Sequence, residues 1–258
     1  MKIWLDGALV EEVTLPPTGS GWLMGDGIFE SLRTYNGNPF ALDQHLARLV
    51  HSAKVMNFDS PDTSLIKNGI DDLINSQPSL PYGRLRITLL SDGVIVMTHV
   101  PYKESDTRIA LAQHDFPQSS KRAITGVKTI SYAENSVALR RASKRGFDDA
   151  LFINEKGFVV ETALANVIWL DGGQWFTPTL ASGCLPGVTR AFLIENFRIQ
   201  ERDITPALLT QAESIAITSS VREIVEIERF ESKFFEPSQL LRELKTSFHQ
   251  WILDKLGQ

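Results

Sequence analysis

The chain has 258 residues, 43% of them hydrophobic and 22% charged, and a formal net charge of −5. That suits a globular protein with one large core or two modest ones, and it argues against a nucleic-acid partner, because no basic excess exists to neutralise phosphates. A single cysteine, Cys184, excludes an internal disulfide framework, residues 1–12 turn acidic too soon for a signal peptide, and no run approaches the ~18 apolar residues of a membrane span, so the expectation is a cytoplasmic protein with no membrane partner.

Residues 2–5 and 8–13 read as a hairpin about Asp6-Gly7. Pro16, Pro17, Gly19 and Gly21 mark a loop. Residues 29–35 are strand-like, and Asn36-Gly37-Asn38 is a turn. Apolar residues at 42, 46, 49, 50, 53 and 56 have helical spacing, with Asp43 in the first turn, and 63–74 form a second helix. Strands follow at 85–90 and 94–100, flanking Asp92-Gly93.

From 113 to 126 the chain becomes polar and irregular, QHDFPQSSKRAITG, which predicts an interdomain loop between an N-terminal domain, 1–115, and a C-terminal one, 122–258. Beyond it, Ser131 and Glu134 have the spacing of a capping box, and Gly146 closes the helix after Lys144 and Arg145. Strands at 149–153, 158–162 and 166–170 are joined by turns at 154–157 and 171–173. Short helices at 189–196 and 206–212, strands at 215–218 and 224–229, and an amphipathic helix at 238–256 complete the chain. No internal repeat interrupts it.

The densest stretch runs from 126 to 169, GVKTISYAENSVALRRASKRGFDDALFINEKGFVVETALANVIW. Taken alone, Lys128 is a surface lysine and Glu161 a solvated strand end. Together, 33 residues apart, they have the chemistry of two poles of one site. A lysine can hold an aldehyde as a Schiff base, and a glutamate can hold a protonated ring nitrogen, which is what pyridoxal phosphate asks of a protein. The small residues between Glu161 and Asn166 permit close approach of a ligand to the backbone. A lysine in that role must be neutral to attack and to carry protons, which burial or neighbouring cations favour.

This pattern, with GDGIFESLRTY at 25–35, HLARL at 45–49, GCLPGVTR at 183–190 and TSS at 218–220, resembles the class IV aminotransferases, the pyridoxal-phosphate enzymes of fold type IV. The resemblance extends from about Trp4 to Glu226. It implies a mixed α+β and α/β architecture, with a small N-terminal α/β domain and a larger C-terminal pseudo-barrel domain. It implies that Lys128 carries the cofactor and acts as general base, and that Glu161 pairs with the pyridine nitrogen. Asn166 would orient that strand or that glutamate. Gly187, Val188 and Thr189 at a helix mouth, Ser219 and Ser220 at a strand end, and Arg48 would hold the phosphate. Phe29 would line the substrate pocket, and Arg33 matches a recurrent arginine. Leu90 and Ser91 stand where many relatives carry an arginine-glycine pair that helps bind a substrate carboxylate, so Arg33 or a partner-chain residue is expected to take that task.

The resemblance further implies a homodimer, a small amino substrate and no metal. The short chain, KTISYAEN and ETALAN look most like the aminodeoxychorismate lyases, which release 4-aminobenzoate and pyruvate. The alternative is an aminotransferase acting on branched-chain or D-amino acids with a 2-oxo acid acceptor. A non-catalytic homologue is disfavoured by the intact Lys128 and Glu161. A Rossmann dehydrogenase is disfavoured because no G-x-G-x-x-G follows a strand.

Overall fold

Asp6 and Gly7 take left-handed backbone angles, φ 45° and 98°, and fold β1 (Ile3–Leu5) back onto β2 (Ala8–Val10). This computed structural model describes residues 2–14 and 18–258, so Pro16 and Pro17 lie outside the described residues. Gly21 is not in a loop but in α1 (Ser20–Met24). The chain forms two compact units. The first comprises Met1–Glu104 with Val127–Tyr132, and the second Ser105–Gly126 with Ala133–Gln258.

In the first unit β3 (Gly27–Tyr35), β4 (Asn38–Pro39), α2 (Leu42–Val55), α3 (Thr63–Asn75), β5 (Tyr82–Leu90) and β6 (Ile95–Pro101) follow. The six strands form one antiparallel sheet in the order β2-β1-β6-β5-β3-β4. Period-two alternation sends Ile28, Leu32, Leu85, Ile87, Leu89 and Met97 to one face, where Leu46, Leu49 and Ala53 of α2 and Ile66, Ile70 and Leu73 of α3 cover them. Each such aliphatic side chain contributes about 2 kcal/mol by leaving water. Asp62 caps α3 by accepting from Ser64 N–H at 2.8 Å and Leu65 N–H at 3.1 Å. Gly69 lets α3 lie on Trp4, since a Cβ there would come within 2.4 Å of the indole. The other face carries Phe29, Ser31 and Arg33, with Arg86 opposite Ser31 and Thr88 opposite Phe29.

The second unit contains β7 (Ile109–Gln113), α4 (Ala133–Lys144), β8 (Asp149–Ile153), β9 (Val159–Thr162), β10 (Asn166–Asp171), β11 (Gln174–Thr177), α5 (Val188–Phe197), β12 (Gln200–Glu201), α6 (Pro206–Leu209), β13 (Ser214–Ser219), β14 (Glu223–Phe230), β15 (Lys233–Phe234) and α7 (Gln239–Leu256). Its sheet runs β12-β11-β10-β13-β14-β7-β8-β9, with β15 on β14. β7 is parallel to both β8 and β14, and so belongs to this sheet although it precedes the polar stretch at 113–126. One set of side chains packs as Leu111, Leu151, Val159, Val167, Trp169 and Ile217. Small residues build the second set, where Ala138 and Ala142 of α4 meet Ala110 and Ala112. No helix among the described residues is long and apolar enough to cross a membrane.

The expected capping box is not what opens α4. The helix begins at Ala133, one residue later than a Ser131 cap requires, and the Ser131 hydroxyl donates to the Gly25 carbonyl at 2.7 Å.

Asp149 is a charged group in the interior of the second unit. It is fully buried; its Oδ1 accepts from the Ala150 N–H at 2.8 Å and its Oδ2 from the Thr162 hydroxyl at 2.9 Å. Burial pushes its carboxyl up to about 6, against those hydrogen bonds and the charge of Arg222. A raised acid stabilises the fold while protonated, so its contribution is full below the unfolded value and is lost as pH rises through about 6. Asp149→Asn mimics the protonated form. The melting temperature of the native chain should therefore fall relative to this variant between pH 4 and 6 and run parallel to it above pH 7. Parallel curves over the whole range, measured by thermal melts, would show that Asp149 stays ionised.

Candidate functional site

In the first unit residues 128–130 lie against β3 as an added strand segment. The Phe29 N–H donates to the Lys128 carbonyl at 2.9 Å, the Ile130 N–H donates to the Gly27 carbonyl at 2.9 Å, and Ile28 bridges to Thr129. Gly27 has no room for a side chain, because a Cβ would sit 2.8 Å from the Leu89 carbonyl oxygen. This pairing carries the Lys128 ammonium to 4.4 Å from the centre of the Phe29 ring and 5.9 Å from that of Tyr132. The two rings meet edge to face at 5.4 Å. The guanidinium carbon of Arg86 lies 3.8 Å from the centre of the same Phe29 ring, and its Nε donates to the Thr88 hydroxyl at 3.2 Å. Burial lowers the Arg86 value from that of a free arginine, yet an arginine so placed stays charged.

Arg33 is on the same face but four residues further along β3, roughly 13 Å from Phe29 at the rise of a strand. It is 1% exposed. Its guanidinium packs at 4.0 Å on Tyr82, 4.8 Å on Tyr35 and 5.1 Å on Tyr102, and pairs with Glu104.

Arg48 turns the edge made by Nε and Nη2 to the carboxylate of Glu30, at 2.8 and 2.6 Å. The His45 Nδ1 reaches the same carboxylate at 2.7 Å, and because a carboxylate only accepts, that nitrogen carries the proton. Burial acts to raise the Glu30 carboxyl, but the charge of Arg48 and the bonds from Arg48 and His45 prevail and hold it at about 2. Burial lowers His45, and nearby Arg48 and Lys128 add to that against the pull of Glu30, so the imidazole is neutral at pH 7.

In the second unit Glu161 stands on β9 and Asn166 opens β10 across a tight turn. The Thr162 N–H donates to the Ala165 carbonyl at 2.8 Å, and the Thr162 hydroxyl accepts from the Ala165 N–H at 3.0 Å. The Glu161 Oε2 accepts from the Leu185 N–H at 3.1 Å and from the Asn166 amide at 3.3 Å, while the other hydrogen of that amide goes to the Leu185 carbonyl at 2.9 Å. Asn166 thus ties Glu161 to the segment that leads into α5. Gly187 is the N-cap of α5, with no side chain capping the helix, and a Cβ there would fall 2.0 Å from the Asn166 Oδ1. Val188 and Thr189 form the first turn, and the Thr189 hydroxyl lies 3.3 Å from that of Ser220. Ser219 accepts from the Arg222 N–H at 3.2 Å. The Thr218 hydroxyl, next to this group, is buried without a hydrogen-bond partner among the described residues. Cys184 is a packing residue: burial, with Glu161 nearby, pushes its thiol up to about 11.

Each unit therefore gathers its own share of the predicted residues. Lys128 and Phe29 meet in the first, with Arg48 bound to Glu30 and Arg33 set apart among tyrosines. Glu161, Asn166 and Gly187 meet in the second, as do Thr189 and Ser220. The sequence reading overlooked Arg86, Glu30, His45 and the Leu185 amide. Arg86 had a signal, since Arg84, Arg86 and Thr88 alternate with Leu85, Ile87 and Leu89, which marks a polar strand face. Glu30 had one too, as a charge at a core position between Ile28 and Leu32. The Leu185 amide had none, since a backbone donor is invisible in a sequence.

The family model of class IV aminotransferases matches residues 27–230. A Methanocaldococcus jannaschii protein, provisionally described as a branched-chain-amino-acid aminotransferase, is 29% identical over 96% of this chain and 95% of its own length. The aminodeoxychorismate lyase of Bacillus subtilis is also 29% identical, over 89% of this chain and 86% of its own. The crystal structure of the branched-chain aminotransferase of Thermoproteus uzoniensis superposes with a TM-score of 0.92 over 99% of this chain and 95% of that one, at 22% identity, and so shares the fold. The chain belongs to the class IV aminotransferase family, whose members are pyridoxal-phosphate-dependent enzymes.

Proposed function

We propose that the chain is an aminodeoxychorismate lyase that converts 4-amino-4-deoxychorismate to 4-aminobenzoate and pyruvate. The observation that carries this reading is the pairing of the Lys128 amine and the Arg86 guanidinium over one Phe29 ring, at 4.4 and 3.8 Å. An amine that acts as base and a fixed cation packed on the same ring suit a substrate that carries an amine and carboxylates. KTISYAEN and ETALAN, and the match to the Bacillus subtilis lyase over 89% of this chain and 86% of its own length, incline the choice towards elimination.

The residues present fit the cofactor. The uncapped start of α5, with a glycine where a Cβ would strike Asn166, leaves backbone N–H groups and the positive helix end for a phosphate. Thr189, Ser219 and Ser220 offer hydroxyl donors in the second unit, and in the first unit Arg48 is a further candidate for the phosphate. When bound, pyridoxal phosphate supplies an aldehyde that condenses with amines and a ring that takes up negative charge. Lys128 would anchor that aldehyde, and its amine would serve as general base for the proton on the amine-bearing carbon of the substrate. Glu161, held by Asn166 and the Leu185 amide, would be the group that holds the ring nitrogen in its protonated form. Arg86 binds a substrate carboxylate. Arg33, whose charge Glu104 already meets, has a structural role.

A second reading, an aminotransferase for branched-chain or D-amino acids, is supported by the 29% identity to the Methanocaldococcus jannaschii protein. In either case we infer a C2 homodimer, which accords with the exposed apolar Trp22, Leu23 and Met24. A cytoplasmic location belongs to the same proposal.

Purified protein given 4-amino-4-deoxychorismate alone should release 4-aminobenzoate and pyruvate in equal amounts, and amino acid with 2-oxoglutarate should give little glutamate. Glutamate formation without any 4-aminobenzoate would move the assignment to the aminotransferase.

Arg86→Ala should raise KM for carboxylate-bearing substrates by roughly 10- to 100-fold, the scale of a lost hydrogen bond to a charge, with cofactor affinity unchanged. Arg33→Ala should lower the melting temperature and leave KM near the native value. The reverse pattern of KM effects would transfer the carboxylate contact to Arg33.

A further inference from the structure

Glu30 lies on the core face of β3 between Ile28 and Leu32 and is fully buried. A carboxylate at such a place loses its hydration, and an ion pair there is a poor stability device compared with apolar packing. Yet the cluster is elaborate. Glu30 receives two bonds from the Arg48 guanidinium and one from His45, whose side chain is itself fully buried. His45 and Arg48 are three residues apart on α2, so both present themselves to β3 from the same side of the helix. The two-point contact fixes the plane of the guanidinium, and the imidazole fixes the carboxylate that makes it. The His45 Nε2 is buried with no hydrogen-bond partner among the described residues, so the ring does not tie the cluster to anything further.

We propose that Glu30 and His45 are positioning residues that hold the Arg48 guanidinium at the angle needed to meet the cofactor phosphate. This rests on the reading of Arg48 as a phosphate ligand and extends it to two side chains that do not touch the phosphate. The orientation of Arg48 is then a property of β3 and α2 rather than of the bound cofactor. The cluster also leaves the arginine nearly neutralised, so a bound phosphate selects it by geometry more than by net charge.

The test uses cofactor-free protein and two probes, pyridoxal phosphate and pyridoxal, which lacks the phosphate. Arg48→Lys and Glu30→Gln should each weaken pyridoxal phosphate about 10-fold or more and change pyridoxal less than about twofold, because only the phosphate contact is lost. The double variant should be no weaker than Arg48→Lys alone, since one contact is removed once. His45→Gln should shift the same ratio by a few-fold, and it serves should Glu30→Gln fail to fold. A lowered melting temperature with an unchanged ratio in Glu30→Gln and His45→Gln, while Arg48→Lys moves the ratio, would overturn the positioning role and leave Arg48 as a phosphate ligand. An unchanged ratio in Arg48→Lys would overturn both.

Discussion

Two backbone hydrogen bonds, from the Phe29 N–H to the Lys128 carbonyl and from the Ile130 N–H to the Gly27 carbonyl, set the chemistry of the first unit. They hold six residues, Val127–Tyr132, in a unit whose other residues end at Glu104. Because strand pairing fixes register, the lysine cannot slip along β3 without breaking both bonds. Phe29 then becomes a shared platform, with Lys128 and Arg86 both drawn to its ring. Gly27 is part of the same constraint, since any side chain there would force the strand off the Leu89 carbonyl. On the opposite face of β3 the adjacent residue, Glu30, organises Arg48. One strand thus presents an amine, a carboxylate-binding candidate and a phosphate-binding candidate through alternate side chains and their partners.

The second unit solves a different problem, that of keeping a glutamate in one orientation. Glu161 is held through Oε2 by a backbone amide and by Asn166, and Asn166 spends its remaining donor on the Leu185 carbonyl. The same asparagine limits Gly187 to glycine, which leaves the first turn of α5 open to an anion. Below the turn, Thr162 joins the loop to buried Asp149. Glu161 and the start of α5 are therefore linked by a single side chain, Asn166.

Much of this was legible because it is local. The turn from Glu161 to Asn166, the opening of α5 at Gly187 and the helices α2, α3 and α7 are each written in a short run of residues. What escaped depends on distant partners. β7 is five residues long and lies beside a polar stretch, yet it pairs with strands up to 119 residues away, so its place in the second sheet could not be read locally. Ser131 has the spacing of a helix cap, but its hydroxyl is taken by Gly25, over 100 residues earlier. Arg33 and Arg86 are alike as residue types. Only the pairing of β3 with β5 shows that Arg86 lies by Phe29, and only Tyr35, Tyr82, Tyr102 and Glu104 show that Arg33 is enclosed.

The central claim is that Lys128, fixed against β3, is the residue that carries the cofactor. Borohydride reduction of the protein loaded with pyridoxal phosphate, followed by peptide mass spectrometry, tests it most directly. The account predicts one stable phosphopyridoxyl label, on Lys128, and none in Lys128→Ala. A label on another lysine, with Lys128 unmodified, would contradict it.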